Sequence, residues 1–187
     1  MRITGGKFRG RRLKSPPTAA TRPTTDRVRE AVFNVLEHGM DGFQFENARV
    51  LDLFAGTGAL GLEAMSRGAR FCLFIDQSAT ARGLIRGNAG LLDLSGSVKI
   101  WRRDATRPGR CAPMAPFNLV FADPPYGRGL GEKSLAGLIA GGWLAPDAVL
   151  VLEESDSAQV NIPEGLALAD KRNYASTTIR FIKPAFP

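Results

Sequence analysis

A short apolar run that stops at a glycine-rich turn constrains this chain more than any other feature. Arg49-Val50-Leu51-Asp52-Leu53-Phe54 reads as a strand, Ala55-Gly56-Thr57-Gly58-Ala59-Leu60-Gly61 follows at once, and Leu62 to Arg67 reads as a helix. The glycines fit G-x-G-x-x-G, and the motif has meaning here because a strand precedes it and a helix follows it. Small residues let the backbone turn sharply and let a ligand approach it closely, with the helix N-terminus beneath. Nicotinamide, flavin and S-adenosylmethionine sites all use such turns. The motif therefore points to an α/β fold and leaves the ligand open.

The rest of the chain repeats the pattern. Arg70 to Ile75 is a second strand ending in Asp76, Val98 to Arg102 a third followed by Arg103 and Asp104, and Phe117 to Ala122 a fourth followed by Asp123. Helices are expected over 79–92 and 133–139. A further strand is expected at 148–152, and a closing antiparallel pair at 167–174 and 177–182. Pro23-Thr24-Thr25-Asp26 starts a helix whose apolar face would be Val28, Ala31, Val32, Val35 and Leu36. With 187 residues, no internal repeat and no linker, the chain suits one α/β domain. Acidic residues thus recur at the carboxyl ends of four strands, at Asp52, Asp76, Asp104 and Asp123. Open α/β sheets bind ligands there. Any one of these could simply solvate a loop or cap a helix; four with a glycine turn among them argue for a site. Spacing places Asp76 where a carboxylate binds ribose hydroxyls.

Asp123-Pro124-Pro125-Tyr126 carries the chemistry. An acidic oxygen and a neighbouring backbone carbonyl can accept both hydrogens of a planar amino group, and the aromatic can stack on the ring behind them. Proline fixes φ and has no N–H, so the turn is stiff and its carbonyls stay free to accept. As an isolated tetrapeptide it could also be a plain turn.

Charge is concentrated at the start. The net charge is +7, and residues 1–30 hold nine basic residues against Asp26 and Glu30, so the remainder is formally neutral. A basic arm over residues 1–22, ahead of a domain over 23–187, is the electrostatic footprint expected for a phosphate backbone. Its candidate contacts are Arg2, Lys7, Arg9, Arg11, Arg12 and Arg22. Glycines at 5, 6 and 10 would keep it pliable, and Phe8 could stack on an unpaired base. The competing reading is a solvated tail. No apolar run approaches the length needed to span a bilayer, and no secretory h-region follows the basic start. Two cysteines, Cys72 and Cys111, do not make a disulfide framework, so a reducing cytoplasm is expected. His38 lies at a helix end, neither cysteine has a metal-ligand set, and no metal is expected. A monomer is the default expectation.

Taken together, Asp52 to Gly61, Asp76, Asp104 and the D-P-P-Y segment resemble the motif series of class I S-adenosylmethionine-dependent methyltransferases that modify exocyclic amines. Two further segments, Arg2-Ile3-Thr4-Gly5-Gly6-Lys7-Phe8-Arg9-Gly10-Arg11-Arg12-Leu13 and Arg22-Pro23-Thr24-Thr25-Asp26-Arg27-Val28-Arg29-Glu30, resemble the RsmD family, which methylates guanine N2 in bacterial small-subunit ribosomal RNA. The resemblance runs from Arg2 to about Trp143 and more loosely beyond. Tyr126 departs from the phenylalanine of some relatives, although either ring can stack.

The resemblance implies a Rossmann-like, mostly parallel seven-stranded sheet with an antiparallel last strand. It implies S-adenosyl-L-methionine as cofactor and ribosomal RNA, within a small-subunit particle, as partner. Asp123, Pro124, Pro125 and Tyr126 would be catalytic. Thr25, Asp52, Phe54, Gly56, Gly58, Asp76, Asp104 and Ala105 would hold the cofactor, with Asp104 accepting from the adenine amino group. An amino methyltransferase acting on adenine N6 or on a protein glutamine stays open, as does a non-catalytic ribosome-assembly factor. A nicotinamide oxidoreductase would lack a proton-relay pair. A cytosine C5 enzyme would lack a cysteine in a Pro-Cys setting.

Overall fold

The computed structural model describes residues 1–16 and 26–185. In chain order its elements are α1 (Asp26–His38), β1 (Arg49–Leu53), α2 (Ala59–Ser66), β2 (Phe71–Ile75), α3 (Ala79–Leu91), β3 (Val98–Trp101), β4 (Phe117–Ala122), α4 (Leu130–Ala140), β5 (Leu144–Ser155), β6 (Leu166–Tyr174) and β7 (Thr177–Pro184). They build one seven-stranded sheet in the order β3-β2-β1-β4-β5-β7-β6. The first five strands are parallel, and β7 runs antiparallel between β5 and β6. The expected mostly parallel sheet with an antiparallel last strand is therefore what forms. β5 is longer than its apolar stretch, because an irregularity in the pairing between Phe117 and Leu119 lets Leu144 also align with β4.

Consecutive strand residues point to opposite faces, so the central strands are largely apolar on both faces and feed two cores. Val50, Phe74 and Phe121 pack on one side with α1, α2 and α3. Leu51, Leu53 and Val120 pack on the other with α4 and Trp143. The indole N–H of Trp143 donates to the Gly109 carbonyl at 2.7 Å, which satisfies its polar end inside the core.

Two expectations change. The buried stripe of α1 is Arg29, Val32, Phe33 and Leu36, while Val28 and Val35 lie only partly buried beside it. The spacing is still helical, but the stripe is rotated and contains an arginine, which an apolar count passes over.

The N-terminal segment, expected to be pliable, is folded and docked over residues 1–16. Arg2 and Arg12 bridge in antiparallel fashion, a 3-10 turn spans Gly6–Phe8, and Ile3 and Leu13 are buried in the core. Glu63, fully buried on α2, accepts the Thr4 N–H (2.8 Å), the Thr4 hydroxyl (2.8 Å) and the Gly5 N–H (2.7 Å). Ser66 donates to the Gly5 carbonyl and accepts the Phe8 N–H. The glycines serve close approach: a Cβ at Gly6, whose φ is +71°, would meet the Ser66 carbonyl oxygen at 1.9 Å. Among the described residues no helix is long and apolar enough to cross a membrane.

Candidate active site

Strand order reverses between β1 and β4, and a cavity of about 780 Å³ opens where their carboxyl ends meet. This is the place where open α/β sheets bind ligands. The parallel register sets Leu53 beside Ile75 on one side and Ala122 on the other, so the residues that follow each strand converge. Asp52, Phe54, Gly56 and Asp76 line the cavity from one side, Asp123 through Tyr126 from the other, and Ala105 from beyond β3.

Asp76 is held in place by the glycine turn. Its Oδ2 accepts the Gly56 N–H at 2.9 Å and its Oδ1 the Ser78 N–H at 2.7 Å. A carboxylate has about four lone-pair positions, so capacity remains for hydroxyls of a ligand. Gly56 (φ +55°) needs the left-handed region, and Phe54 (φ +54°) adopts it despite its side chain. Such strain costs on the order of 1–3 kcal/mol and tends to be retained at ligand sites.

Asp52 is buried, and its Oδ2 accepts the Gly61 N–H at 2.9 Å, tying α2 to β1. Burial pushes its carboxyl up to about 8, an effect the Gly61 N–H opposes and the neighbouring Asp76 charge adds to.

The D-P-P-Y turn leans on β5. The Tyr126 hydroxyl donates to Glu153 Oε1 at 2.6 Å and lies 3.2 Å from the Thr177 hydroxyl. The Gly127 N–H donates to Glu154 Oε1 at 3.0 Å. The Tyr126 ring itself remains 39% exposed, free to cover a flat ligand. Asp123 sits among acidic neighbours. Burial first, then the charges of Glu153, Asp52 and Glu154, raise its carboxyl well above the usual range.

Other expected residues stand differently. Gly58 caps α2 at φ +77° and does not line the cavity; a Cβ there would crowd Ile85 and Phe74 at 3.2 and 3.3 Å, so it serves packing. Asp104 is not among the lining residues, although its neighbour Ala105 is. Its Oδ1 accepts the Thr106 hydroxyl (2.7 Å) and N–H (2.9 Å), which hold its carboxyl below the usual range. Of the basic residues, Arg2, Lys7, Arg9, Arg11 and Arg12 are exposed on the docked hairpin. Phe8 packs partly against the core with the Lys7 ammonium 4.8 Å from its ring centre. Thr25 and Arg22 lie outside the described residues. Cys72 and Cys111 are free and buried, and His38 is exposed at the end of α1.

Sequence reasoning missed the polar residues that brace this site. Asn88 of α3, fully buried, accepts the Lys14 N–H at 2.7 Å and donates to the carbonyls of Lys14 and of Thr57 in the glycine turn. Met1 and Pro16 of the hairpin segment also line the cavity, as does Arg29. The available signal was a polar residue on an apolar helix face: Arg29, Glu63 and Asn88 all fit it.

A family described as conserved hypothetical protein 95 matches residues 1–183. "Ribosomal RNA small subunit methyltransferase D" of Escherichia coli (strain K12) is 39% identical over 174 residues, covering 90% of this chain and 82% of that protein. The solved structure of yhhF from Escherichia coli superposes with a TM-score of 0.84 at 32% identity, covering 100% of this chain and 99% of that one. An RNA methyltransferase from Salinibacter ruber in complex with S-adenosyl-L-homocysteine shares the fold at 17% identity, with a TM-score of 0.65 over 88% of this chain and 95% of that one. The chain belongs to the conserved hypothetical protein 95 family, the RsmD family that its N-terminal segments and D-P-P-Y turn resemble.

Proposed function

We propose that this protein is a ribosomal RNA methyltransferase that moves a methyl group from S-adenosyl-L-methionine to the exocyclic N2 amine of a guanine in small-subunit RNA. The observation that carries the reading is the D-P-P-Y turn at the mouth of a glycine-turn cavity, with Asp123 in the wall and the Tyr126 ring exposed beside it. The names of the relatives support the RNA substrate. The ligand of the Salinibacter neighbour supports the donor.

The residues present fit that donor. Asp76 keeps acceptor capacity for ribose hydroxyls, Ala105 leaves a small apolar wall for a flat base, and Gly56 leaves room beside Asp52 for a flexible chain. When bound, S-adenosyl-L-methionine supplies an electrophilic methyl on a sulfonium whose positive charge favours ionised carboxyl groups around it.

The chain's own residues position the acceptor. A guanine N2 lone pair is delocalised into the ring, which makes the amine a weak nucleophile. With Asp123 and the Pro124 carbonyl accepting its two hydrogens, the nitrogen pyramidalises and turns its lone pair into the cavity, and positioning lowers the barrier. Asp123 accepts most strongly when ionised, and in that form it, or water, takes the proton afterwards. Tyr126, anchored at its hydroxyl by Glu153, stacks on a base that is unpaired or flipped out. The exposed arginines of the hairpin follow the phosphate backbone. The protein acts as a cytoplasmic monomer on RNA within a small-subunit particle.

The test is transfer of labelled methyl to unmodified small subunits, free ribosomal RNA, DNA and ribosomal protein separately, with products digested to nucleosides or amino acids. Label in N2-methylguanosine is the expected result. Label in N6-methyladenine or methylglutamine overturns the substrate, and no label despite donor binding overturns the enzymatic reading.

A further inference from the structure

Arg29 stands on the buried stripe of α1, is 1% exposed, and forms part of the cavity wall. Its guanidinium has five N–H donors in a fixed fork. Nη2 donates to the Arg2 carbonyl and to Asp26 Oδ1 at 2.9 Å. Nε lies 3.6 Å from Glu63 Oε2, an ion pair without a hydrogen bond, and Nη1 has no acceptor among the described residues. Buried donors on a charged group are rarely left unpaired, because the lost water is not replaced. Glu63 faces Nε rather than Nη1, and it already accepts four hydrogen bonds from Thr4, Gly5 and Arg67. It is also shared by the buried Arg29 and the partly buried Arg67, so the interior of this cluster carries a cationic excess. The partly exposed Asp26 and Glu37 offset that excess only at its edge.

The missing partner is an acceptor, preferably an anion, that reaches this wall from the cavity. The other described walls disfavour an anion. Asp76, Asp52 and Asp123 all put carboxyl groups on them, and the Arg103 guanidinium is already stacked over Trp101 at 4.6 Å and donates to the Pro108 carbonyl. A ligand with hydroxyls at one end and a carboxylate at the other therefore has one orientation that matches. On the donor reading above, we propose that Arg29, through Nη1, binds the carboxylate of the cofactor's amino-acid end. The docked hairpin holds Arg29 in this pose through the Arg2 carbonyl, which gives the hairpin a second role beside RNA binding.

The experiment compares binding of S-adenosyl-L-homocysteine with that of its decarboxylated analogue by calorimetry, for the native protein and for Arg29→Gln. The native protein should prefer the carboxylate ligand by about 10- to 100-fold, the range for a hydrogen bond to a charged group. Arg29→Gln should lose that preference while binding the decarboxylated analogue as the native protein does. Equal weakening of both ligands, or an unchanged preference, overturns the assignment. A native protein that binds both alike overturns it and leaves the donor reading standing. One that binds neither removes the donor reading and this inference with it. If Arg29→Gln does not fold, the native protein's arginine side-chain ¹⁵N resonances decide. One buried guanidinium that responds to the homocysteine ligand and ignores the decarboxylated one supports the proposal; none doing so overturns it.

Discussion

Replacing Glu63 with alanine should unfasten the N-terminal hairpin and destabilise the whole domain. The carboxylate is fully buried and is the meeting point of three hydrogen bonds from Thr4 and Gly5, one from Arg67 Nε at 3.1 Å, and the ion pair with Arg29. Removing it leaves the buried Arg29 and the partly buried Arg67 short of their counter-ion, and breaking a buried pair from one side costs about 3–5 kcal/mol. For a chain of this size each kcal/mol moves Tm by about 2–4 °C, so a fall of roughly 6–20 °C is expected. Glu63→Gln keeps one oxygen for the hairpin amides and loses the charge, and should fall between the two. Urea denaturation gives the stability change, and hydrogen exchange at the amides of Thr4 and Gly5 reports whether the hairpin opens first. A loss under about 1 kcal/mol with those amides still protected would refute the reasoning. It would mean that burial of Ile3 and Leu13 alone, about 1.5–3 kcal/mol each, holds the hairpin down.

Asp123→Ala should lower turnover about 100-fold or more while leaving donor affinity within about 2-fold, by analogy with removal of a preorganised polar group; equal loss of both would assign Asp123 a structural role. Because burial and three acidic neighbours raise the Asp123 carboxyl, kcat/KM should still be climbing with pH above the range of an ordinary carboxylate, and Asp123→Asn should abolish that climb. Asp52 titrates near 8 in the fold and near 3.9 when unfolded, so between those values the folded state holds a proton that the unfolded state has lost. Stability should therefore fall as pH rises from about 4 to 8, and Asp52→Asn should flatten that slope in urea titrations at pH 5 and 8; identical slopes would sink the idea. Substituting Arg9, Arg11 and Arg12 together with alanine should reduce the log–log salt dependence of RNA binding by about 2, at roughly 0.7 per single-strand phosphate contact, whereas an unchanged slope would remove the hairpin from the interface.

Much of the site was legible because its chemistry is local in the chain. The glycine turn, Asp76 and the D-P-P-Y segment each sit at the end of an apolar strand, and a parallel sheet brings such ends to one edge whatever the details of packing. Asp104 shows the limit of that rule. It follows a strand end as expected, yet Thr106, two residues on, occupies its Oδ1, and it is the unremarkable Ala105 that lines the cavity. The α1 stripe shows another limit, since an apolar face drawn through Val28 and Val35 leaves out Arg29, a charged residue that the fold buries.

Periodicity and motif order, properties of a few neighbouring residues, settled the α/β class, the strand ends and the family resemblance. Contacts over long stretches of chain settled the rest. Whether the first residues form a loose arm or a docked hairpin depended on Glu63 and Asn88, more than fifty residues away, both buried and both bonded to the hairpin backbone. Whether Tyr126 hangs free or is pinned depended on Glu153 of β5. Buried polar groups must find partners, and which partners they find is decided by the packed fold, not by the order of residues along the chain.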